Sequence, residues 1–241
     1  MSGKPISSDV IEQMGGEACP IAILTGSGIS AESGLSTFRG SGGLWAGHRV
    51  EDVATPEAFA REPGMVYDFY NTRRRNLLSE DVAPNAAHLA LARLEAFWPA
   101  PVTIITQNVD NLHERAGSSG VIHMHGELLK IRHVGTDEVR VWHDDCHANT
   151  LGGGWRPHIV WFGEAVLEGE AIVEALRSAG LFLCIGTAGQ VYPAAGFVRE
   201  VAGPGVEFNV GRTEISDFFR ERWTGPASET VPRFVDSLLI V

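Results

Sequence analysis

Four short apolar runs punctuate the chain: "PIAILTGS", "PVTIITQN", "LFLCIGTA" and "VEFNVG". A strand with one wet face alternates apolar and polar residues. These runs are apolar almost throughout and pass directly into Gly, Ser, Thr or Asn. Strands buried on both faces, as in a parallel sheet, have that composition. Helix patterns lie between them. "NAAHLALARLEAF" spaces its apolar residues for a helix with Asn85 as N-cap, and "EGEAIVEALRSAG" ends in the glycine expected just past a helix terminus. The alternation predicts an α/β fold with an open, Rossmann-like parallel sheet, which binds ligands at the carboxyl ends of its strands.

Two stretches break the alternation. Residues 34–83 hold a long loop and then "TPEAFAREPGMVYDFYNTRRRNLL", which reads as helices with no strand between them. Residues 126–158 hold two short β-like runs and a glycine-rich loop. Both read as insertions that build a smaller lobe, one a helical insert and the other a small β module. The large lobe then comprises about 18–33, 84–125 and 159–241 of a single 241-residue domain. A cleft between lobes is the expected ligand site.

The formal net charge of −11 argues against nucleic-acid and anionic-membrane partners, which attract Lys/Arg surfaces. "MSGKPISSDVIEQMGG" lacks the apolar centre of a secretory signal, and the apolar runs are too short to span a bilayer. Cys19, Cys146 and Cys184 are odd in number and widely spaced, which does not suit a disulfide framework. A soluble, cytoplasmic protein is expected.

Gly26-Ser27-Gly28-Ile29-Ser30-Ala31 fits G-x-G-x-x-G/A directly after the first apolar run. Small residues there let backbone amides approach a pyrophosphate, with a following helix N-terminus adding its dipole. The pattern alone suits a plain tight turn equally well. Glu51 and Asp52 stand at the distance of an acidic ribose partner, but they do not end a strand. "HMHGEL" adds two histidines, the side chains whose unperturbed pKa best suits a base near neutral pH.

Further motifs follow in order: "GSGISAESGLSTFRGSGGLW", "TQNVDNLHERAG", "HMHGEL", "RPHIVWFGE" and "GTAGQVYPAAGF". Together they resemble the sirtuin family of NAD-dependent protein deacylases over about residues 20–238, nearest to bacterial members of the desuccinylase branch. The resemblance implies NAD as cofactor and acylated lysine side chains of proteins as substrates. By position it assigns Gly26, Ser27, Gly28, Ile29, Ala31, Glu32, Phe38, Arg39 and Trp45 to the NAD loop. Gln107, Asn108 and Asp110 would hold nicotinamide and its ribose. Gly186, Thr187, Ala188, Asn209 and Ala227 would face the adenosine half; Ala188 stands where the family usually has Ser, so one hydroxyl contact is missing there.

His125, preceding Gly126, matches the family's catalytic histidine, which leaves His123 as scaffold; Asn108 and Asp110 complete the catalytic set. In the implied reaction the acyl-lysine carbonyl oxygen attacks the ribose carbon bearing nicotinamide. His125 then takes a proton from a ribose hydroxyl, and O-acyl-ADP-ribose and free lysine result. Val160, Trp161, Phe162, Gly163 and Glu164 match the segment that pairs its backbone with the substrate peptide, although the run also reads as a core strand. The alternatives are transfer of ADP-ribose to a protein or to water, and an NAD-binding module without catalysis.

Most sirtuins hold zinc with four cysteines, and this chain has only Cys146 in that region. His133 stands at the first ligand position, and "WHDDCHAN" replaces the second pair. His133 and Cys146 are the candidate ligands, with His143 and His147 chemically competent. Adjacent Cys146 and His147 are awkward to use together, so a degenerate, metal-free site is expected. In "VYDFYNTRRR", Tyr70 and Arg73 share a helix face. The residues alone suggest an exposed basic face, Arg73 to Arg75, with Tyr70 beneath. In the desuccinylase branch, Tyr-x-x-Arg holds the carboxylate of succinyl-lysine, which implies activity on both acetyl- and succinyl-lysine.

Overall fold

The computed structural model describes residues 19–37, 45 and 47–239. Strands β1 (Ile21–Thr25), β2 (Val102–Thr106) and β3 (Val121–His123) come from the first half of the chain. A small module contributes β4 (Gly126–His133), β5 (Val139–Val141) and β6 (Trp155–Ile159), and β7 (Leu181–Ile185), β8 (Gly205–Asn209) and β9 (Glu221–Thr224) follow. Six strands form a parallel sheet in the order β3-β2-β1-β7-β8-β9. All residues of β1 and β7 are buried, as their unbroken apolar runs require. From β1 the chain winds outward through β2 and β3, then returns to build the other half from β7. The β1/β7 boundary is therefore the topological switch point, where a doubly wound sheet opens a crevice.

The helices are α1 (Val50–Val53), α2 (Pro56–Arg61), α3 (Pro63–Leu77), α4 (Ala86–Phe97), α5 (Leu112–Ala116), α6 (Gly169–Ser178) and α7 (Ala227–Leu239). Leu91 and Leu94 of α4 and Phe234 and Val235 of α7 pack on one sheet face, against Ile23, Ile104, Leu183 and Val206. Ile172 and Leu176 of α6, with Phe197, cover the other face over Leu24, Phe182 and Cys184. Burial of each such side chain contributes about 1.5–3 kcal/mol. Asn85 caps α4 as expected: its side chain accepts from Ala87 N at 2.9 Å, and its own N–H donates to His88 Nδ1 at 3.3 Å.

The small module is an antiparallel sheet in the order β5-β4-β6. Helix α3 ties it down. Tyr67 donates its hydroxyl to Trp155 O at 2.6 Å. Asn71 makes a paired clip on the Cys146 backbone, donating to its O at 2.9 Å and accepting from its N at 2.8 Å. Arg74 donates to Leu128 O and to Asn71 Oδ1, both at 2.8 Å. The helical insert and the β module thus form one lobe.

Several expectations need correcting. Edge strands β3 and β9 carry no long apolar run, because an edge leaves part of each strand facing water. Strand β6 ends at Ile159, so the boundary drawn at 158/159 cuts its last residue. Val160–Glu164 is not a strand but folds back, with Glu164 N on Trp161 O at 3.0 Å. Helix α6 ends at Ala179 in extended backbone, so Gly180 is not a left-handed cap; a Cβ there would lie 2.5 Å from Cys19 Cβ. Arg74 is fully buried, so Arg73 to Arg75 is not an exposed basic face: facing the β module, its guanidinium replaces lost water with carbonyl acceptors. The segment after the glycine turn is a short 3-10 helix, Ser27–Ser33, rather than an α-helix.

Candidate active site

Gly28 N donates to Gly186 O at 2.8 Å across the switch point, joining the turn after β1 to the end of β7. The approach leaves no room for a side chain: a Cβ on Gly28 would lie 2.7 Å from Gly186 Cα. From here a cavity of about 1300 Å³ runs between the sheet and the smaller lobe, large enough for a dinucleotide together with part of a second ligand. Gly26, Ser27, Gly186, Thr187 and Ala188 line its large-lobe end, and Trp45 lines it from the helical insert. Six of the assigned residues lie outside its wall: Gly28, packed on Gly186, and five more. Ile29 is buried in the main core; Ala31 and Glu32 face solvent, with Glu32 accepting from Ser228 N at 3.0 Å; Ala227 begins α7; and Asn209 instead donates to Thr187 O at 2.8 Å. Phe38 and Arg39 lie outside the described residues.

The floor is the turn after β2. Gln107 Nε2 donates to Thr187 Oγ1 at 3.1 Å, linking the two strand ends. Asn108 Nδ2 donates to Gly26 O and to Ser30 Oγ, each at 3.2 Å. Asp110 accepts from Ser30 Oγ at 3.0 Å and from Leu112 N at 3.1 Å. Burial pushes its carboxyl above the usual range, while the Leu112 N–H and the Ser30 hydroxyl pull it back.

His125 joins the two lobes between β3 and β4. The next residue, Gly126, has φ 80°, and a Cβ there would lie 2.1 Å from His158 O. Only glycine permits that crossover. Val160 N donates to His125 O at 2.9 Å, pinning its backbone. His125 Nδ1 stands 3.1 Å from Gln107 O. A carbonyl only accepts, so Nδ1 carries the hydrogen and Nε2 keeps its lone pair. Burial lowers the pKa of His125, with the Gln107 contact acting against it, so the ring is neutral and basic at neutral pH. His123 behaves otherwise. Burial disfavours its charge, but Glu114, 2.7 Å away, more than offsets that and raises its pKa.

Opposite the floor stand the acyl-pocket candidates. Arg73 Nη1 donates to Phe69 O at 2.7 Å, with its guanidinium over the Phe69 ring. Burial lowers its pKa to about 10, partly offset by Tyr70, and no carboxylate among the described residues pairs with it. Tyr70 is fully buried among the residues lining the cavity, and its hydroxyl accepts from Trp161 Nε1 at 3.0 Å. Val160–Glu164 forms the adjoining wall. Glu164 is fixed by buried Arg156 at 2.7 Å and by the Trp161 backbone N–H at 2.9 Å.

The zinc candidates do not fit a metal. His133 Nδ1 already accepts from Gly135 N at 3.2 Å, and the Cys146 backbone is clipped by Asn71 with its thiol near Trp155 O. Among the described residues, no three His, Cys, Asp or Glu side chains converge as a metal would require.

Sequence reasoning missed Thr25, Ser30, Asn71, Arg74, His113 and Arg156. Each is a buried polar group whose partner is set by register or packing. The only available signal was a charged or hydroxyl residue inside an otherwise apolar pattern.

A neutral histidine over a dinucleotide-sized cavity at a sheet's switch point is the layout of an α/β enzyme acting on a nucleotide. The residues from 26 to 193 match the sequence model of the Sir2 family, and the chain belongs to that family. It is 53% identical over 228 residues to the NAD-dependent protein deacylase of Vibrio parahaemolyticus, covering 91% of this chain and 95% of that one. The Salmonella typhimurium protein of the same name is 51% identical over 91% of this chain and 84% of its own. A crystal structure of a Sir2 homologue with NAD superposes with a TM-score of 0.86 at 33% identity, over 98% of this chain and 95% of that one.

Proposed function

We propose that the protein is an NAD-dependent protein-lysine deacylase acting on both acetyl- and succinyl-lysine. The observation that carries this reading is His125, a neutral base with Nε2 free of its Gln107 hydrogen bond, which lines the same cavity as Asn108 and Asp110. NAD fits the residues present. Gly26, Ser27, Gly186 and Thr187 bring small residues and backbone to one end of the cavity, and the cavity has dinucleotide size. When bound, NAD supplies ADP-ribose as the acyl acceptor and nicotinamide as the leaving group.

The protein's own part is positioning and proton transfer. Gln107, Asn108 and Asp110 form a rigid polar floor for the nicotinamide side. His125 Nε2 takes up a hydroxyl proton. Arg73, without a carboxylate partner among the described residues, and Tyr70, with no acceptor for its own O–H among them, suit a ligand carboxylate; a guanidinium and a phenol bind one well.

The deciding assay mixes protein, NAD and a panel of acyl-lysine peptides, with products read by mass spectrometry. Deacylated peptide, nicotinamide and O-acyl-ADP-ribose in equal amounts support the reading. ADP-ribosylated protein or free ADP-ribose in place of the acyl ester would assign the transferase or hydrolase reaction. No nicotinamide release at all would mean a non-catalytic NAD-binding module.

A further inference from the structure

Beneath the glycine turn lies a series of buried polar groups that the proposed chemistry does not use. Thr25 ends β1 and Thr106 ends β2; they are register partners, and neither is exposed. The Thr25 hydroxyl donates to Thr106 Oγ1 at 2.9 Å. With its one proton engaged, Thr25 accepts from His113 Nε2, which lies 3.1 Å away. The imidazole hydrogen of His113 is therefore on Nε2. Thr106 Oγ1 also accepts from the Asn108 backbone N–H at 3.0 Å. Asn108 in turn directs its side-chain amide to Gly26 O and Ser30, and Ser30 donates to Asp110. The His88 ring meets His113 at 5.0 Å, and Asn85 donates both to Ile29 O at 2.7 Å and to Ser33 Oγ at 2.9 Å, on the same 3-10 turn that carries Ser30.

We propose that Thr25 and His113 are positioning residues for the reaction, holding Asn108 and Asp110 in place through Thr106 without touching substrate. The inference rests on the reading that Asn108 and Asp110 serve the chemistry. The Thr25 hydroxyl gives its one proton to Thr106 and the Ser30 hydroxyl gives its to Asp110, while Thr106 accepts from both Thr25 and the Asn108 N–H. Burial holds His113 neutral, with a pKa of about 3, so its donor role does not change across the working pH range. Two threonines at matched strand ends satisfy the β propensity of any β-branched residue. Valine would keep the shape and lose only the relay.

The test compares Thr25→Val with Thr25→Ser, reading nicotinamide release, KM for NAD and thermal midpoint. Thr25→Val is expected to lower kcat about ten- to hundredfold, the cost of a slightly displaced catalytic group. KM for NAD should stay within about twofold, since uniform binding is untouched. Thr25→Ser, which restores the hydroxyl, should recover most of kcat. Wild-type kcat in Thr25→Val, a loss that serine does not recover, or a loss confined to KM would overturn the proposal. If Thr25→Val does not fold, Thr106→Val against Thr106→Ser is read by the same criteria. A wild-type protein that releases no nicotinamide would instead overturn the deacylase reading.

Discussion

As the proposed base, His125 must keep its ring neutral; burial secures that, while the hydrogen bond to Gln107 O fixes the tautomer that leaves Nε2 free. His125→Ala is expected to abolish multiple-turnover deacylation while leaving the thermal midpoint and NAD binding close to wild type. The lowered pKa places the acid limb of the wild-type pH–rate profile below the ordinary histidine value of about 6.5. An active alanine variant, or an acid limb above that value, would remove His125 from the role. Arg73 belongs to the same scale. Acetyl-lysine carries no carboxylate, so Arg73→Met should lose desuccinylation selectively. A charge-assisted pair in a closed pocket is worth roughly 2–4 kcal/mol, or about thirty- to several-hundredfold in the ratio of the two kcat/KM values. Equal loss of both activities would make Arg73 a structural residue.

At the scale of elements, helix α3 does for the small sheet what no metal ligand set among the described residues does. Asn71 satisfies the Cys146 N–H and C=O together, and it also accepts from buried Arg74. Asn71→Ala leaves those three groups without partners and is expected to cost about 2–4 kcal/mol, read by denaturant unfolding. A change below about 0.5 kcal/mol would mean that the clip is dispensable. The same helix shows what a sequence reveals. Its existence, the four inner strands and the Asn85 cap were all legible, because burial on one or two faces and capping chemistry leave local patterns. The edges β3 and β9 were not, since half-wet strands carry no continuous apolar run. Arg74 within "TRRR" read as solvated because its acceptor, Leu128 O, lies 54 residues along the chain. In the site, His125, Gln107, Asn108 and Asp110 stood out by motif, whereas Thr25 and His113 became meaningful only once β1 and β2 were in register.

For the whole molecule, the buried histidines couple folding to pH. His88 and His113 are depressed to about 4 and about 3, mainly by burial. Below about pH 6.5 the unfolded chain binds protons at these sites that the folded chain does not, so stability is complete above that pH and lost below it. Each group contributes about 1.4 kcal/mol per pH unit once the pH is well under 6.5. Burial lowers His125 and His158 too, while His123 and Asp110, which are raised, act in the opposite direction. The thermal midpoint should therefore fall from pH 6.5 to pH 5, before most carboxylates titrate; a flat or rising midpoint would contradict it. The crossing of Gly28 and Gly186 has a consequence for redesign. Each excludes even a methyl group because the other's backbone fills the space. Neither glycine can take a side chain without moving the other's backbone, so these two positions offer an engineer seeking a different cofactor no foothold. The wall of Tyr70 and Arg73 is made of side chains and can be recut residue by residue. New acyl groups are within reach of directed evolution in this scaffold, whereas the paired glycines must stay as they are.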